Sequence, residues 1–160
     1  SDFGLAWRMK MAREEAQRVI EEYFKRYAQV RRYVIETRAF CMEQGYVETL
    51  LGRRRYIADI TSPNSAIRGA AERMAINMPI QGTAADVIKI AMVQIDAEIT
   101  RRKLRSRMLI QVHDELIFEV APGELDEMRE LAVKMMPAAM SLSVPLNVET
   151  KHGKTWGDME

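Results

Sequence analysis

The stretch MLIQVHDELIFEV, residues 108–120, contains two apolar runs joined by three polar residues. Residues 108–112 and 116–120 are rich in strand-forming side chains, and the short connection between them predicts an antiparallel hairpin. A tight hairpin turn normally contains glycine, because its central residues need positive φ. His113, Asp114 and Glu115 are poor choices for such a turn. This conflict with local preference indicates a functional or strained site.

Asp114 and Glu115 place two adjacent carboxylates at the end of this predicted hairpin. Mg²⁺ binds through one or two carboxylates, with water and substrate phosphates as its other ligands, and such sites serve two-metal phosphoryl transfer. The alternative is that both acids are solvated turn residues and that His113 is a surface imidazole. The dipeptide alone favours this alternative, because short patterns often match by chance.

The first part of the chain has helical spacing of apolar residues over 13–44, which predicts two helices or one bent helix ending at Gly45. Residues 46–50 alternate and residues 56–58 can return antiparallel, so a second small hairpin is predicted with its turn at Gly52. Three arginines lie near its tip, at positions 53, 54 and 55. They fit phosphate neutralisation and ordinary solvation equally well.

Two helices are predicted in the middle of the chain. An alanine-rich helix over 66–78 follows turn and cap residues, and Pro79 is expected to end it. A heavily apolar second helix is expected to begin at a capping box formed by Thr83 and Asp86. An amphipathic helix over 124–136 and a final strand over 146–150 complete the pattern. The predicted fold class is α+β, with helices packed on a small antiparallel sheet.

The composition is that of a globular domain or part of one, with 160 residues, 48% apolar and 29% charged. The 24 basic and 23 acidic side chains nearly cancel, so net charge gives no support to a nucleic-acid partner. Cys41 is the single cysteine, which excludes an internal disulfide and fits a reducing compartment. No apolar run approaches the roughly 20 residues that cross a bilayer, so no membrane partner is expected.

A polar stripe is predicted on the first of the two middle helices. Arg73, Asn77 and Gln81 are spaced by four residues, so a helix would place them near one face, with Gln81 displaced by the expected break. Amide and guanidinium groups can donate to the minor-groove acceptors that every base pair shares. The alternative is a solvated face on which Glu72 pairs with Arg68, and composition alone favours that alternative.

Three ordered motifs resemble those of the family A (polymerase I type) DNA polymerases. QVHDE at 111–115, framed by apolar strands, is similar to motif C, whose aspartate is a metal ligand of the palm. The run AERMAINMPIQGTAAD at 71–86, with Arg68, resembles the helix before the palm hairpin. GYVETL and GRRRY, within 45–56, resemble a hairpin of the fingers. The resemblance covers essentially the whole chain, through Trp156.

The resemblance implies part of a polymerase palm and fingers, with residues 1–62 fingers-like and residues 63–160 on the palm side. It implies template-directed transfer of deoxynucleotides to a primer 3′ hydroxyl by two-metal catalysis. Asp114 and Glu115 would be ligands of Mg²⁺, and His113 would help to place the primer end or the hairpin. The residues expected to contact DNA are Arg68, Arg73, Asn77 and Gln81.

The expected partners are primer–template DNA, deoxynucleoside triphosphates and the remainder of the polymerase domain. The expected location is a bacterial-type cytoplasm, in association with the nucleoid. A stand-alone, non-catalytic DNA-binding module is the alternative function. A metal-dependent phosphodiesterase built on Asp114 and Glu115 is a third reading, disfavoured because no further carboxylates form a recognisable ligand pattern.

Two parts of the family pattern are absent from the sequence. No stretch resembles Asp-Tyr-Ser-Gln-Ile-Glu, the motif with the first catalytic aspartate. Most of the nucleotide-binding fingers helix is also missing, since residues 2–5 look like its final stretch. Trp7 and Arg8 stand where the family usually has Tyr-Gly. We therefore expect this chain alone to incorporate nucleotide negligibly.

Overall fold

The computed structural model describes residues 2–159, so Ser1 and Glu160 lie outside the described residues. The helices are α1 (Asp2–Met9), α2 (Arg13–Arg26), α3 (Ala28–Gln44), α4 (Ser65–Arg102) and α5 (Leu125–Ala138). The strands are β1 (Tyr46–Glu48), β2 (Arg54–Tyr56), β3 (Arg107–Val112) and β4 (Glu115–Glu119). They form two antiparallel hairpins, β1–β2 and β3–β4, which confirms the α+β class with two small sheets.

The chain divides into two compact units between Pro79 and Ile80. The predicted division at 62/63 separates parts of a polymerase rather than compact units, and it stays a prediction. No helix within residues 2–159 has the length and apolar character needed to cross a membrane.

The first unit contains the predicted helix pair and the first hairpin. The helical conformation is interrupted at Tyr27, between α2 and α3. Helix α3 ends at Gly45, whose φ of 75° is the left-handed conformation typical of a helix C-cap. Tyr46 pairs with Tyr56 across β1 and β2, so this hairpin is confirmed, although β1 is two residues shorter than predicted and β2 begins two residues earlier. The apolar core of this unit consists of Cys41, Val47, Ile57, Ile60, Ala71 and Ala75.

Two side-chain contacts join α3 to the first part of α4. The Tyr33 hydroxyl donates to the Ile76 carbonyl at 2.8 Å. Arg38 forms an ion pair with Glu72 at 3.1 Å, so the alternative in which Glu72 pairs with Arg68 is wrong. The sequence could not identify Arg38 as the partner, because it is distant along the chain.

Pro79 lies inside α4, so the prediction that it ends a helix is wrong. Proline removes one helical hydrogen bond and crowds the preceding turn, at a cost of about 3 kcal/mol. Apolar burial within each unit offsets this cost, with Ala75 fully buried before the proline and Ile95 fully buried after it. Thr83 and Asp86 lie in the helix interior, so they form no N-terminal capping box and that prediction is wrong as well.

The second unit is built on the end of α4, the β3–β4 hairpin and α5. Its core consists of Ile95, Ile99, Met128 and Leu131, which confirms the amphipathic character of α5. The predicted burial of the apolar helix is confirmed on one face only, since Val93 is 71% exposed. The predicted final strand over 146–150 is wrong: these residues have no regular secondary structure. Alternation alone does not provide the neighbouring strand that must satisfy the backbone N–H and C=O groups.

Candidate functional site

The tip of the β3–β4 hairpin is a two-residue turn made by His113 and Asp114, which Val112 and Glu115 flank as a cross-strand pair. His113 has a φ of 54°. Glycine is the usual residue at a hairpin turn position with positive φ, because a Cβ atom is disfavoured there. The unusual turn chemistry expected from the sequence is therefore confirmed in the backbone.

This left-handed residue differs in its setting from the other non-glycine residues with positive φ among residues 2–159. Those are Lys10 and Lys103, each of which directly follows a helix. A left-handed residue is ordinary at that position. His113 adopts the conformation between two strands, beside the two acids.

The hairpin tip has an internal hydrogen bond that sequence inspection missed. The side-chain amide of Gln111 donates to the carbonyl of His113 at 2.6 Å. Gln111 is opposite Leu116 in the register of the hairpin, so the bond joins the end of β3 to the turn. The sequence predicts positive φ in this turn, but no sequence pattern indicates which side chain stabilises that conformation.

The carboxylates at the tip are exposed to solvent. Within residues 2–159, the side chains of His113, Asp114 and Glu115 make no hydrogen bond, ion pair or ring contact with another residue. Their acceptor oxygens are therefore available to a ligand. The described residues contain no group of three or more His, Cys, Asp or Glu side chains placed to hold a metal.

This donor set fits Mg²⁺. The ion binds through one or two carboxylates and retains water and substrate phosphate ligands, so a cage of protein side chains is not required. Two adjacent carboxylates on a short hairpin turn satisfy that requirement. The same pair would not suit a structural zinc ion, which takes four nitrogen or sulfur ligands.

A second cluster holds the base of the same hairpin. Glu124, at the N-terminus of α5, accepts hydrogen bonds from the Ser106 hydroxyl at 2.6 Å, the Ser106 backbone N–H at 2.9 Å and the Arg105 backbone N–H at 3.1 Å. The Ser106 hydroxyl in turn accepts from the Ala121 backbone N–H at 3.0 Å. The bond from the Ser106 hydroxyl, with those from the backbone, lowers the pKa of Glu124 below its usual range.

The predicted DNA-contacting residues lie on α4. Arg73 and Asn77 belong to the first unit and Gln81 to the second, and all three side chains are exposed. These three side chains have no hydrogen-bonding or ionic partner among residues 2–159. Arg68 is half-buried and donates to the Ser62 carbonyl at 2.7 Å, which uses one of its five donors.

The arginines of the first hairpin are partly engaged within it. Arg54 pairs with Glu48 at 3.2 Å, and its guanidinium lies 4.4 Å from the centre of the Tyr46 ring. These contacts favour a structural role for Arg54. Arg53 and Arg55 are exposed.

Comparison with known proteins identifies the family. A sequence model of DNA polymerase family A matches residues 1–158. The chain belongs to DNA polymerase family A. The resemblance of the three motifs to this family is thereby confirmed.

Relatives in the family include DNA polymerase I of Mycobacterium leprae, which is 47% identical over 157 residues, and that of Bacillus caldotenax, which is 46% identical over 158 residues. These matches cover 98% and 99% of this chain but only 17% and 18% of the relatives. A similar solved structure is the POL domain of Pol1 from M. smegmatis in complex with DNA primer-template and dNTP. It is 47% identical with a TM-score of 0.93, over 98% of this chain and 28% of that chain.

These comparisons establish the family and the fold. Family A DNA polymerases are metal-dependent in general. The chain spans less than a fifth of the length of these relatives.

Proposed function

We propose that this chain supplies one carboxylate cluster of a family A DNA polymerase, which transfers deoxynucleotides to a primer 3′ hydroxyl under the direction of a template. The observation that carries the proposal is the β3–β4 hairpin tip. There, Asp114 and Glu115 are exposed next to a histidine in the left-handed conformation. A costly backbone conformation beside two available carboxylates is typical of a site kept for chemistry.

Asp114 and Glu115 would hold Mg²⁺, with Asp114 as the main ligand and Glu115 assisting from the adjacent position. When bound, the ion supplies electrostatic stabilisation of the attacking and leaving oxygens. The short turn limits how far the two carboxylates can move. His113 would contact the primer end through its exposed imidazole or maintain the hairpin that presents Asp114.

Arg73, Asn77 and Gln81 would contact the primer–template duplex. Their donors are exposed and unused within residues 2–159, and they match the acceptors that all base pairs present in the minor groove. Arg68 would contribute with the donors that remain after its bond to Ser62. The M. smegmatis complex with primer-template and dNTP supports these partners for a relative of the chain.

We propose that the isolated chain is inactive, because the motif with the first catalytic aspartate is absent from its sequence. The remainder of a polymerase domain would supply that aspartate and the nucleotide-binding helix. Because these relatives come from bacteria, we also propose a cytoplasmic location in association with the nucleoid.

A primer-extension assay in Mg²⁺ tests the inactivity of the purified chain. We expect no extension by the chain at any concentration at which a complete family A polymerase is active. Metal-dependent extension that copurifies with the chain, and is lost in Asp114→Ala, would show that the chain is sufficient.

A non-catalytic DNA-binding module is the second candidate. It is favoured by the exposed polar stripe on α4. This candidate predicts duplex binding that falls with salt and is the same in EDTA and in Mg²⁺. Cleavage of DNA in Mg²⁺ or Mn²⁺ in the same assay would instead support the phosphodiesterase reading.

A further inference from the structure

The hydrogen bond between Gln111 and the His113 carbonyl constrains one particular peptide group. That carbonyl and the N–H of Asp114 belong to the same planar peptide unit. Holding the carbonyl therefore restricts the orientation of the peptide plane that contains the N and Cα atoms of Asp114.

The identity of the donor follows from the chemistry of the pair. A backbone carbonyl only accepts hydrogen bonds, so the amide nitrogen of Gln111, rather than its oxygen, must face it. A separation of 2.6 Å is short for such a bond, and the contact spans only two residues. Gln111 itself is exposed, so its side chain is not held there by surrounding core packing.

The backbone at His113 shows why such a contact is needed. A residue with a Cβ atom at a φ of 54° is disfavoured relative to glycine, so the turn has competing conformations. A bond that forms only when the 113–114 peptide has one orientation selects among those conformations. Without it, the backbone from which the Asp114 side chain projects would sample more than one orientation.

We propose that Gln111 is a positioning residue, which orients Asp114 for metal binding through the peptide between His113 and Asp114. The proposal rests on the proposed function of Asp114 as a metal ligand. Gln111 itself need not touch metal, nucleotide or primer for this role.

The test compares three ¹⁵N-labelled forms of this chain: unsubstituted, Gln111→Met and Gln94→Met. Methionine has nearly the length of glutamine but provides no donor. Gln94 is an exposed glutamine on α4 in the same unit, and its side chain has no partner among residues 2–159, so it is the matched control. Amide signals outside the hairpin report whether each variant is folded.

The first readout is amide hydrogen exchange at Val112 and Glu115, the pair that closes the hairpin. Loss of one hydrogen bond is expected to speed this exchange by about fivefold in Gln111→Met, with no change in Gln94→Met. Equal exchange in all three forms would overturn the bracing role of Gln111.

The second readout is paramagnetic broadening of the Asp114 and Glu115 amide signals by Mn²⁺. We expect saturable broadening in the unsubstituted chain, and an apparent Kd about fivefold higher in Gln111→Met. Equal Mn²⁺ affinities of Gln111→Met and the unsubstituted chain would overturn the positioning role, even if exchange is faster. Lack of localised broadening in the unsubstituted chain would instead overturn the metal site on which the proposal rests.

Discussion

The carboxylate of Glu124 accepts a hydrogen bond from the Ser106 hydroxyl at 2.6 Å, which joins the start of α5 to the residue before β3. Ser106 is 2% exposed, so the contact is largely shielded from solvent. The bond lies at the base of the hairpin whose tip carries Asp114. The two ends of that hairpin are thus held by different side chains, Glu124 at the base and Gln111 at the tip.

This cluster predicts a pH dependence of stability. Because the pKa of Glu124 is lower in the folded chain than its ordinary value of 4.5, its contribution is complete above that value and is lost as the pH falls through the folded pKa. Bonds from Arg101 and Arg102 lower the pKa of Glu98 to about 2, so its contribution persists to lower pH. Glu124→Gln should lower the urea midpoint at pH 7, and the difference from the unsubstituted chain should shrink below pH 4.5.

The control for this prediction is Asp96→Asn, which alters an exposed carboxylate on α4. It should leave the urea midpoint unchanged at pH 7. A Glu124→Gln midpoint equal to that of the unsubstituted chain at neutral pH would show that the cluster does not stabilise the fold.

The burial of one face of α4 predicts unequal effects at neighbouring positions. Ile95 is fully buried, so Ile95→Ala should reduce the free energy of unfolding by about 3 kcal/mol through lost burial and a residual cavity. Val93 is 71% exposed, so Val93→Ala should change the free energy of unfolding by less than about 0.5 kcal/mol. Chemical denaturation of both variants measures the two values, and similar losses at both positions would contradict the observed helix face.

The position of Pro79 inside α4 predicts a substitution that stabilises the chain. Pro79→Ala restores a backbone N–H inside α4 and relieves the crowding of the preceding turn, so it should stabilise the chain by about 2 kcal/mol after the greater entropy of the unfolded state is subtracted. Pro63→Ala changes a proline outside the helices and should destabilise by about 0.5 kcal/mol through that entropy alone. A shift of the urea midpoint in the same direction for both variants would contradict this explanation.

The sequence was most informative where a local pattern and a tertiary requirement agree. The β3–β4 hairpin follows from two apolar runs, and the left-handed cap at Gly45 follows from a glycine after a helical period. The start of α4 is similar, because the Asn64 side chain accepts a hydrogen bond from the Ala66 N–H at 2.9 Å. In each case residues within a few positions determine the outcome.

The sequence misled where distant packing overrides local preference. Pro79 is a local helix breaker, yet the buried faces of α4 on both sides keep the helix continuous. The alternation at 146–150 is a strand pattern without a neighbouring strand among residues 2–159. The contact between Glu124 and Ser106 spans 18 residues and follows no short-range rule, so only the folded chain shows it.

The sequence likewise predicts some features of the candidate site and not others. His113, Asp114 and Glu115 were identified because they are poor turn residues, and the positive φ of His113 confirms the basis of that expectation. Gln111 was identified only as part of a motif. Its bond to the turn depends on side-chain geometry that no spacing pattern encodes.

The polar stripe on α4 predicts a change in duplex affinity. Arg73→Ala should weaken binding of primer–template DNA by about tenfold, because the proposed minor-groove contact would lose a charged donor. Arg18→Ala changes an exposed arginine on α2 and should have little effect. Fluorescence anisotropy over a range of salt concentrations measures both, and equal affinities for the two variants would remove Arg73 from the DNA interface.

The most direct test of the central claim is primer extension by a chimeric polymerase, in which this chain replaces the matching segment of the Bacillus caldotenax DNA polymerase I. Asp114→Ala in the chimera should reduce extension in Mg²⁺ by about two to three orders of magnitude, because it would remove the proposed ligand of the ion that stabilises developing charge. Asp126→Ala, which alters an exposed aspartate on α5, should leave extension unchanged. Extension by the Asp114→Ala chimera at the rate of the unsubstituted chimera would contradict the assignment of Asp114 as a catalytic metal ligand.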